Sequence, residues 1–380
     1  MKIITVVGAR PNFIKVAPLH RAFKAHSNVQ SILVHTGQHY DTQMSDVFFE
    51  QLDLPQPDHY LGVGSGTQTQ QTADIMLRFE EVMIIEQPDW VVVVGDVTST
   101  IACALVAKRM SVRLAHVEAG LRSGDRHMPE EINRILTDNL ADLLFVTEQA
   151  GYANLLREGI RQERIYFPGN VLIDSLVKYR PQANTLDTVG RLGLTPGEYV
   201  FMTMHRPANV DTEAGLQNIL QVVADTAIHK TVVFTLHPRT QLSLIRFALL
   251  DRLIAIPNVR LLKPQGYLEC LNLMEHAAVV ITDSGGIQEE TTYLQVPCLT
   301  FRDTTERPVT ITLGTNQLLS DLNPKTVQQK VHEILEGYVK RGQIPPRWDG
   351  KAADRIATKL LGHDSGRQEK GVSSNAVMLA

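Results

Sequence analysis

The stretch Trp90-Val91-Val92-Val93-Val94-Gly95-Asp96 decides the fold. Four successive valines are typical of a strand buried on both faces, because a half-exposed strand alternates apolar and polar residues. Strands of this kind belong to parallel sheets that helices cover on both sides. The stretch therefore predicts an α/β fold. It also places Gly95 and Asp96 at the carboxyl end of a strand, where open parallel sheets bind their ligands.

Short apolar runs alternate with amphipathic stretches in both directions from this strand. In the first half, the predicted strands cover residues 3–7, 32–34, 90–94, 112–117, 143–146 and 165–167. In the second half, they cover residues 199–204, 231–236, 259–262, 279–282 and 297–301. Helical spacing between them predicts two doubly wound parallel sheets. We expect a polar linker between about residues 169 and 196.

Composition and charge limit the function classes. The chain has 380 residues, with 37 Lys and Arg against 41 Asp and Glu. This slightly acidic balance argues against nucleic acid as a main partner. The three cysteines lie far apart and show no metal spacing, which favours a reducing cytoplasm over a disulfide framework. No signal peptide and no bilayer-length apolar run is recognisable, so we expect a soluble cytoplasmic protein without a membrane partner.

Charged residues follow several predicted strands of the first half. Gly8, Arg10 and Lys15 follow the first strand and could bind an anion at a helix N-terminus, although a strand–helix turn with a solvated arginine explains them equally well. Asp96 and Glu118 follow two later strands, and Glu130 opens a helix. Arg134 lies four residues further on, on the same helix face, so it could pair with Glu130. Helix capping accounts for Asp96 alone, and the helix dipole for Glu130 alone. Carboxylates converging on one cleft indicate proton transfer.

The second half supplies a complementary set. His205 and Arg206 follow a strand, and the run Asp283-Ser284-Gly285-Gly286-Ile287-Gln288-Glu289-Glu290 follows another. The backbone N–H groups of Ser284, Gly285 and Gly286 can hold a phosphate at the start of a helix, and Glu290 can accept hydrogen bonds from ribose hydroxyls. Arg302 and Arg307 follow a further strand. No His, Cys or Asp cluster has ligand spacing, so we expect neither a metal nor a cofactor.

Seven of these runs stand in the order found in the non-hydrolysing UDP-N-acetylglucosamine 2-epimerases, and the chain resembles that family from about residue 2 to residue 361. Any one run is weak evidence, whereas seven in order are specific. The matching runs are residues 8–15, 95–100, 116–123, 129–134, 205–206, 283–290 and 302–308.

The resemblance implies a GT-B-like fold, in which two Rossmann-like domains face each other across a cleft, and a cytoplasmic homodimer. The N-terminal domain is then residues 1–170 plus a C-terminal helix at 352–362 that crosses back onto it. Residues 171–351 form the nucleotide-binding C-terminal domain. Residues 363–380 are expected to be a loose tail.

The reaction implied by the resemblance is inversion at carbon 2 of UDP-GlcNAc to give UDP-ManNAc, through elimination of UDP to 2-acetamidoglucal and re-addition. The resemblance makes Asp96, Glu118 and Glu130 the acid and base candidates, without assigning which removes the proton, and His205 the support of the departing diphosphate. It places Arg10 and Lys15 near the phosphates or sugar, Arg134 among the carboxylates, Ser284, Gly285 and Gly286 at a phosphate, and Glu290 at the ribose. Arg307 is expected either to lie near the nucleotide or to order its loop, and Arg206 is expected to bind the substrate.

Two runs depart from the family pattern. Residues 38–41 and 205–209 differ from the runs that help some bacterial members bind a second substrate molecule as an activator. Activation by UDP-GlcNAc is therefore doubtful, and a related substrate such as a UDP-2,3-diacetamido-glucuronic acid stays open. A glycosyltransferase of the same fold and a nucleotide-sugar-binding protein are the competing classes, since fold alone does not decide function. The bifunctional hydrolysing enzymes carry an additional kinase domain, for which a chain of this length has no room.

Overall fold

The structure, a computed structural model, describes residues 1–37, 49–320 and 322–374, except for the side chains of Arg10 and of residues 364–374. The run 38–41 lies outside the described residues. The first half forms a seven-stranded parallel sheet in the order β3-β2-β1-β4-β5-β6-β7. Its strands are β1 Lys2–Val7, β2 Gln30–His35, β3 His59–Tyr60, β4 Trp90–Val94, β5 Arg113–Val117, β6 Leu143–Phe145 and β7 Ile165–Tyr166.

Helices cover both faces of this sheet. They are α1 Arg10–Lys24, α2 Gln68–Glu86, α3 Thr98–Arg109, α4 Pro129–Leu140 and α5 Gln149–Arg157. Strand order reverses between β1 and β4, so the loops after these neighbouring strands diverge and leave a crevice at their carboxyl ends. The crevice is where the sequence places Lys15 and Asp96.

The valine run is buried on both faces, as predicted. Val92 and Val94 belong to one hydrophobic core cluster, and Val91 and Val93 to another on the opposite face. Trp90 belongs to the first cluster, where its ring meets that of His363 edge-on at 5.6 Å. This alternation explains why β4 carries no polar residue.

Between the sheets the chain forms α6 Val171–Leu186 and α7 Thr188–Arg191, where the sequence predicted a polar linker. Pro181 lies inside α6. A proline inside a helix removes one backbone hydrogen bond. Buried apolar side chains hold α6 in place nonetheless, among them Ile173, Leu176 and Tyr179. The linker is therefore a packed helix.

The second half forms a six-stranded parallel sheet in the order β10-β9-β8-β11-β12-β13. Its strands are β8 Tyr199–Thr203, β9 Thr231–Thr235, β10 Val259–Leu262, β11 Val279–Thr282, β12 Cys298–Phe301 and β13 Asn316–Leu319. Order reverses between β8 and β11, so a second crevice opens where His205 and Ser284 lie. Its helices are α8 Pro207–Val210, α9 Glu213–Ala227, α10 Pro238–Arg246, α11 Leu250–Ile254, α12 Tyr267–Glu275, α13 Gly285–Leu294, α14 Val309–Thr312 and α15 Pro324–Leu335.

The last helix, α16 Ala352–Ser374, packs against α1 and α6. Asp174 of α6 accepts hydrogen bonds from the backbone N–H groups of Ala352 and Ala353 at 3.0 and 2.7 Å, which fixes the start of the helix. The helix continues past residue 362 to Ser374. No proline interrupts this segment, and each of its glycines costs a helix only about 1 kcal/mol. Across the part of the chain that is described, no helix is long and apolar enough to cross a bilayer.

Candidate active site

The candidate site lies where the two crevices face each other. Glu118 follows β5 directly, is almost fully buried, and has a left-handed backbone with φ of 70°. One carboxylate oxygen pairs with the ammonium group of Lys15 on α1. The other lies 3.5 Å from Nη2 of Arg307, which comes from the loop before α14. Residues from both halves of the chain therefore meet at one carboxylate.

Arg307 is surrounded by carboxylates. Its Nε lies 2.9 Å from Oε2 of Glu289 on α13, and its Nη1 lies 3.5 Å from Glu306. Asn170 donates a hydrogen bond of 2.9 Å to the other oxygen of Glu289. Burial raises the pKa of Glu289, and the Arg307 charge opposes that rise. The same carboxylates, which outweigh the effect of burial, raise the pKa of Arg307.

Glu148 faces this group from the first half of the chain. It follows β6, is buried, and accepts a hydrogen bond from the backbone N–H of Val309 at 3.4 Å. Burial, together with the charge of Glu289, raises the pKa of Glu148 to about 8. A carboxyl group with such a pKa carries its proton at neutral pH.

Arg134 on α4 organises a second set of carboxylates. Its Nε lies 3.0 Å from Oδ2 of Asp96, its Nη1 2.5 Å from Glu131, and its Nη2 3.5 Å from Glu306. Arg302 holds Glu306 through two hydrogen bonds of 2.8 and 2.6 Å. Although burial favours the neutral form, Arg302 and its neighbours hold the pKa of Glu306 well below its usual range.

The predicted partner of Arg134 was Glu130, and the structure corrects this pairing. Glu131 faces the protein interior on the same side of α4 as Arg134, three residues before it. It also accepts hydrogen bonds from the backbone N–H groups of Ser123 and Gly124 at 2.9 and 3.0 Å. Glu130 is exposed in the first turn. Adjacent helical positions point about 100° apart, and on α4 Glu131 faces inward while Glu130 faces solvent.

The turn after β8 is held by one buried carboxylate. Asp283 accepts hydrogen bonds from the backbone N–H groups of His205 and Arg206 at 3.0 and 2.8 Å, and from Asn209 at 3.0 Å. Its Oδ1 lies 3.1 Å from Nδ1 of His205. Burial would raise the pKa of Asp283, but His205 and the other donors lower it. About a third of the His205 side chain is left exposed at the cleft.

The glycine turn predicted to hold phosphate opens α13, with Ser284 at the N-cap and Gly285 and Gly286 in the first turn. A Cβ on Gly285 would lie 2.8 Å from Nη1 of Arg307, so the turn and the arginine are in contact. Glu290 lies further along α13. Burial raises its pKa to about 8, and Tyr267 is its neighbour.

The structure brings most of the predicted residues to one cleft, with two exceptions: Glu130 faces solvent, and the side chain of Arg10 lies outside the description. It also adds residues to which the sequence reasoning gave no role, namely Glu131, Glu148, Glu289, Arg302 and Glu306. Glu148 follows β6 just as Glu118 follows β5, so the same strand-end rule identifies it. Among the side chains described, no three or more of His, Cys, Asp and Glu are grouped to hold a metal ion.

Chemically, the cleft can hold an anion and move protons. Cationic side chains and the backbone N–H groups at the start of α13 converge on one space, which suits a phosphorylated ligand. Buried carboxyl groups with displaced pKa values suit proton transfer.

A family model for UDP-N-acetylglucosamine 2-epimerase matches residues 21–361. A UDP-N-acetylglucosamine 2-epimerase of Methanocaldococcus jannaschii is 40% identical over 365 residues, which cover 95% of this chain and 99% of that protein. A UDP-2,3-diacetamido-2,3-dideoxy-D-glucuronate 2-epimerase of Pseudomonas aeruginosa is 37% identical over 364 residues, covering 95% and 99%.

The crystal structure of the M. jannaschii UDP-GlcNAc 2-epimerase in complex with UDP-GlcNAc and UDP superposes with a TM-score of 0.88. At 40% sequence identity, it covers 95% of this chain and 99% of that chain. The similarity thus extends over the cleft and over both sheets.

Proposed function

Because this chain belongs to the UDP-N-acetylglucosamine 2-epimerase family, we propose that its cleft inverts carbon 2 of UDP-GlcNAc to give UDP-ManNAc, reversibly. The activity makes the protein an isomerase. The observation that carries the proposal is the contact of Lys15 and Arg307 with opposite oxygens of Glu118, which assembles one acid–base centre from both halves of the chain.

The chemistry explains why the cleft needs several carboxylates. The hydrogen on carbon 2 is not next to a carbonyl, so direct deprotonation is difficult. Eliminating UDP across carbons 1 and 2 gives 2-acetamidoglucal, and adding UDP back with the proton on the other face inverts the centre. Two faces require two proton-transfer groups, and we assign these roles among Asp96, Glu118 and Glu130.

The diphosphate that departs has to be held until it adds back. We assign this task to the N–H groups of Ser284, Gly285 and Gly286 and to His205, with Lys15, Arg10 and Arg206 supplying positive charge. Glu290 is assigned to the ribose. With its pKa near 8, it would be protonated before ligand binding, and could donate as well as accept a hydrogen bond.

Incubation with UDP-GlcNAc in deuterated water tests the reaction. We expect deuterium at carbon 2 of both epimers and the appearance of UDP-ManNAc without any acceptor. A glycosyltransferase would instead require an acceptor and leave carbon 2 unlabelled. Failure to exchange across a panel of UDP-HexNAc substrates would refute the proposal.

A second candidate substrate is UDP-2,3-diacetamido-glucuronic acid. The observation that favours it is the 37% identity to the P. aeruginosa relative named for that substrate, close to the 40% of the UDP-GlcNAc 2-epimerase. The same exchange assay, run with both compounds at equal concentration, decides between them. The compound with the larger kcat/KM is the substrate.

We also propose that the protein acts as a cytoplasmic homodimer that supplies an activated sugar for polysaccharide synthesis. The support for a dimer is an exposed apolar surface on α2, formed by Leu77, Ile84 and Ile85, each at least 60% exposed. Exposed apolar clusters of this kind mark contact surfaces. Light scattering should give twice the chain mass of 42.3 kDa, and Ile84→Glu with Ile85→Glu should give monomers.

A further inference from the structure

Asp138 on α4 is fully buried and lies behind the candidate site. Its Oδ1 lies 2.7 Å from Nδ1 of His116, and its Oδ2 accepts a hydrogen bond from the backbone N–H of Gly120 at 3.1 Å. His116 and Gly120 stand two residues before and two residues after Glu118. The Asp138 carboxylate therefore contacts the chain on both sides of Glu118, the acid–base candidate.

The contacts of Asp138 lie where the backbone adopts a left-handed conformation. Glu118 has φ of 70° and Gly120 has φ of 77°. A left-handed conformation at a residue other than glycine is unfavourable, and it persists only where the surroundings enforce it. The two hydrogen bonds to Asp138 enforce it here.

His116 extends the network to Asp96. Its Nε2 lies 2.8 Å from the carbonyl oxygen of Gly95, the residue before Asp96. A carbonyl oxygen can only accept, and Asp138, paired with Arg122 at 2.7 Å, also accepts. His116 therefore bridges Asp138 and the Gly95 carbonyl oxygen through its two ring nitrogens.

We propose that His116 and Asp138 are positioning residues that fix Asp96 and Glu118 in reactive geometry. The inference rests on the proposed epimerisation. Both residues are fully buried, and the proposal gives neither of them a contact with the substrate. They act through the Gly95 carbonyl on one side and the Glu118 backbone on the other.

Exchanging Asp138 tests the proposal. Asp138→Ala removes the contacts with His116, Gly120 and Arg122. We expect kcat to fall by about 100-fold, the effect of a misplacement of about 1 Å, while KM and the dissociation constant of UDP stay within threefold. Asp138→Asn can keep every contact if its amide donates to Nδ1 of His116, so kcat should return to within tenfold of wild type. A purely structural role would instead lower the melting temperature with kcat of the folded protein unchanged, and that result would overturn the proposal.

Asp142→Ala is the matched control. Asp142 holds the other end of β5, where it accepts a hydrogen bond from the backbone N–H of Leu114 at 2.8 Å and pairs with Lys108. Its loss should leave kcat unchanged. An equal fall in kcat in Asp138→Ala and Asp142→Ala would show that the loss of any contact to β5 lowers kcat, and would contradict a specific role for Asp138.

Histidine labelled with ¹⁵N gives a readout independent of activity. The two ring nitrogens of His116, identified by their loss in His116→Gln, should each show the shift of a hydrogen-bonded nitrogen in wild type, and the Nδ1 shift should change in Asp138→Ala. Identical His116 nitrogen shifts in wild type and in Asp138→Ala would contradict the proposal. The expected shifts in a wild type that fails to exchange carbon 2 would refute the proposed function alone.

If Asp138→Ala does not fold, His116→Gln decides the kinetic question. A glutamine amide reaches either Gly95 or Asp138 but not both, so kcat should fall at least tenfold with UDP binding retained. Unchanged kcat in this variant would overturn the role of His116.

Discussion

Nη2 of Arg307 lies 3.5 Å from Oε1 of Glu118, although the two residues come from opposite halves of the chain. The same guanidinium pairs with Glu289 at 2.9 Å. Arg307 therefore links Glu118, the acid–base candidate after the first sheet, to α13 of the second half, the helix that starts at the predicted phosphate turn. Neither half of the chain contains a complete site.

Arg307→Lys should lower kcat by about 100-fold, because an ammonium group cannot reproduce the planar fork of a guanidinium toward several carboxylates. Steady-state kinetics with UDP-GlcNAc measures the effect. Arg239→Lys provides the control, since Arg239 pairs with Asp211 at 2.6 Å on an exposed surface and should lose no activity. Equal kcat values for Arg307→Lys and wild type would remove Arg307 from the mechanism.

Asp96→Asn and Glu118→Gln should each lower kcat by about 100- to 10,000-fold, the contribution usual for general acid–base catalysis. Both variants keep the shape of the side chain, so UDP should bind as in wild type. Calorimetric titration with UDP and the deuterium exchange assay separate the two effects. If a variant exchanges the hydrogen on carbon 2 at the wild-type rate, the residue that it replaces does not transfer a proton in the reaction.

The neighbouring glutamates of α4 should respond in opposite ways. Glu131→Gln breaks the buried pair with Arg134, which lies 2.5 Å away, and should destabilise the protein by about 1–3 kcal/mol. Glu130→Gln changes an exposed side chain and should leave the melting temperature unchanged. If Glu130 transfers a proton when substrate is bound, that variant should still lose at least about 100-fold in kcat.

Thermal unfolding and turnover of both variants give the answer. Full activity in Glu130→Gln would leave Asp96 and Glu118 as the two proton-transfer groups. Loss of activity without loss of stability would make Glu130 a proton-transfer group, despite its exposure on α4.

Strand-end positions could be predicted from the sequence, whereas helix faces could not. The valine run fixes β4, and the residue after a buried parallel strand has to lie at the ligand edge, which located Asp96, Glu118 and His205. Glu130 and Glu131 are both acidic and both lie in the first turn of α4, so no pattern in the sequence shows which of them faces inward. Only the packing of α4 shows that Glu131 turns inward.

Helix α6 was missed for a different reason. Pro181 and the polar residues after it are typical of a linker, yet Ile173, Leu176 and Tyr179 are buried on one side of the helix. Tertiary burial compensates for the hydrogen bond that Pro181 cannot make. The contacts of Arg307 also lay beyond the sequence, because they depend on how the two sheets face each other.

Stability should depend on pH through Glu148. Its pKa is about 8 in the folded protein and 4.5 at its ordinary value. The folded state therefore binds more protons between these pH values, and stability is lost as pH rises through about 8. Glu148→Gln removes the titration, so the variant should be more stable than wild type at pH 9, by on the order of 4 kcal/mol.

Urea unfolding at pH 5 and pH 9 measures the difference. At pH 5 the two proteins should unfold at similar urea concentrations, because the Glu148 carboxyl group is neutral in the folded wild type. Glu80→Gln changes an exposed glutamate and should follow the wild type at both pH values. If the free energies of unfolding of Glu148→Gln and wild type differed by the same amount at all pH values, Glu148 would be ionised in the folded protein.

Gly285→Ala should damage the site without damaging the fold. A Cβ at this position would lie 2.8 Å from Nη1 of Arg307, and the far end of a flexible side chain can move away. The guanidinium would then leave Glu118, so kcat should fall by at least about tenfold, as expected when a positioning contact is displaced.

The matched control is Gly362→Ala in α16, where a Cβ meets no atom within 4 Å. Replacing a helical glycine by alanine without strain should stabilise the protein by about 0.5–1 kcal/mol, and kcat should not change. The pair separates the general effect of alanine from the effect on Arg307. If Gly285→Ala matched Gly362→Ala in both measurements, the contact between the glycine turn and Arg307 would have no part in holding Glu118.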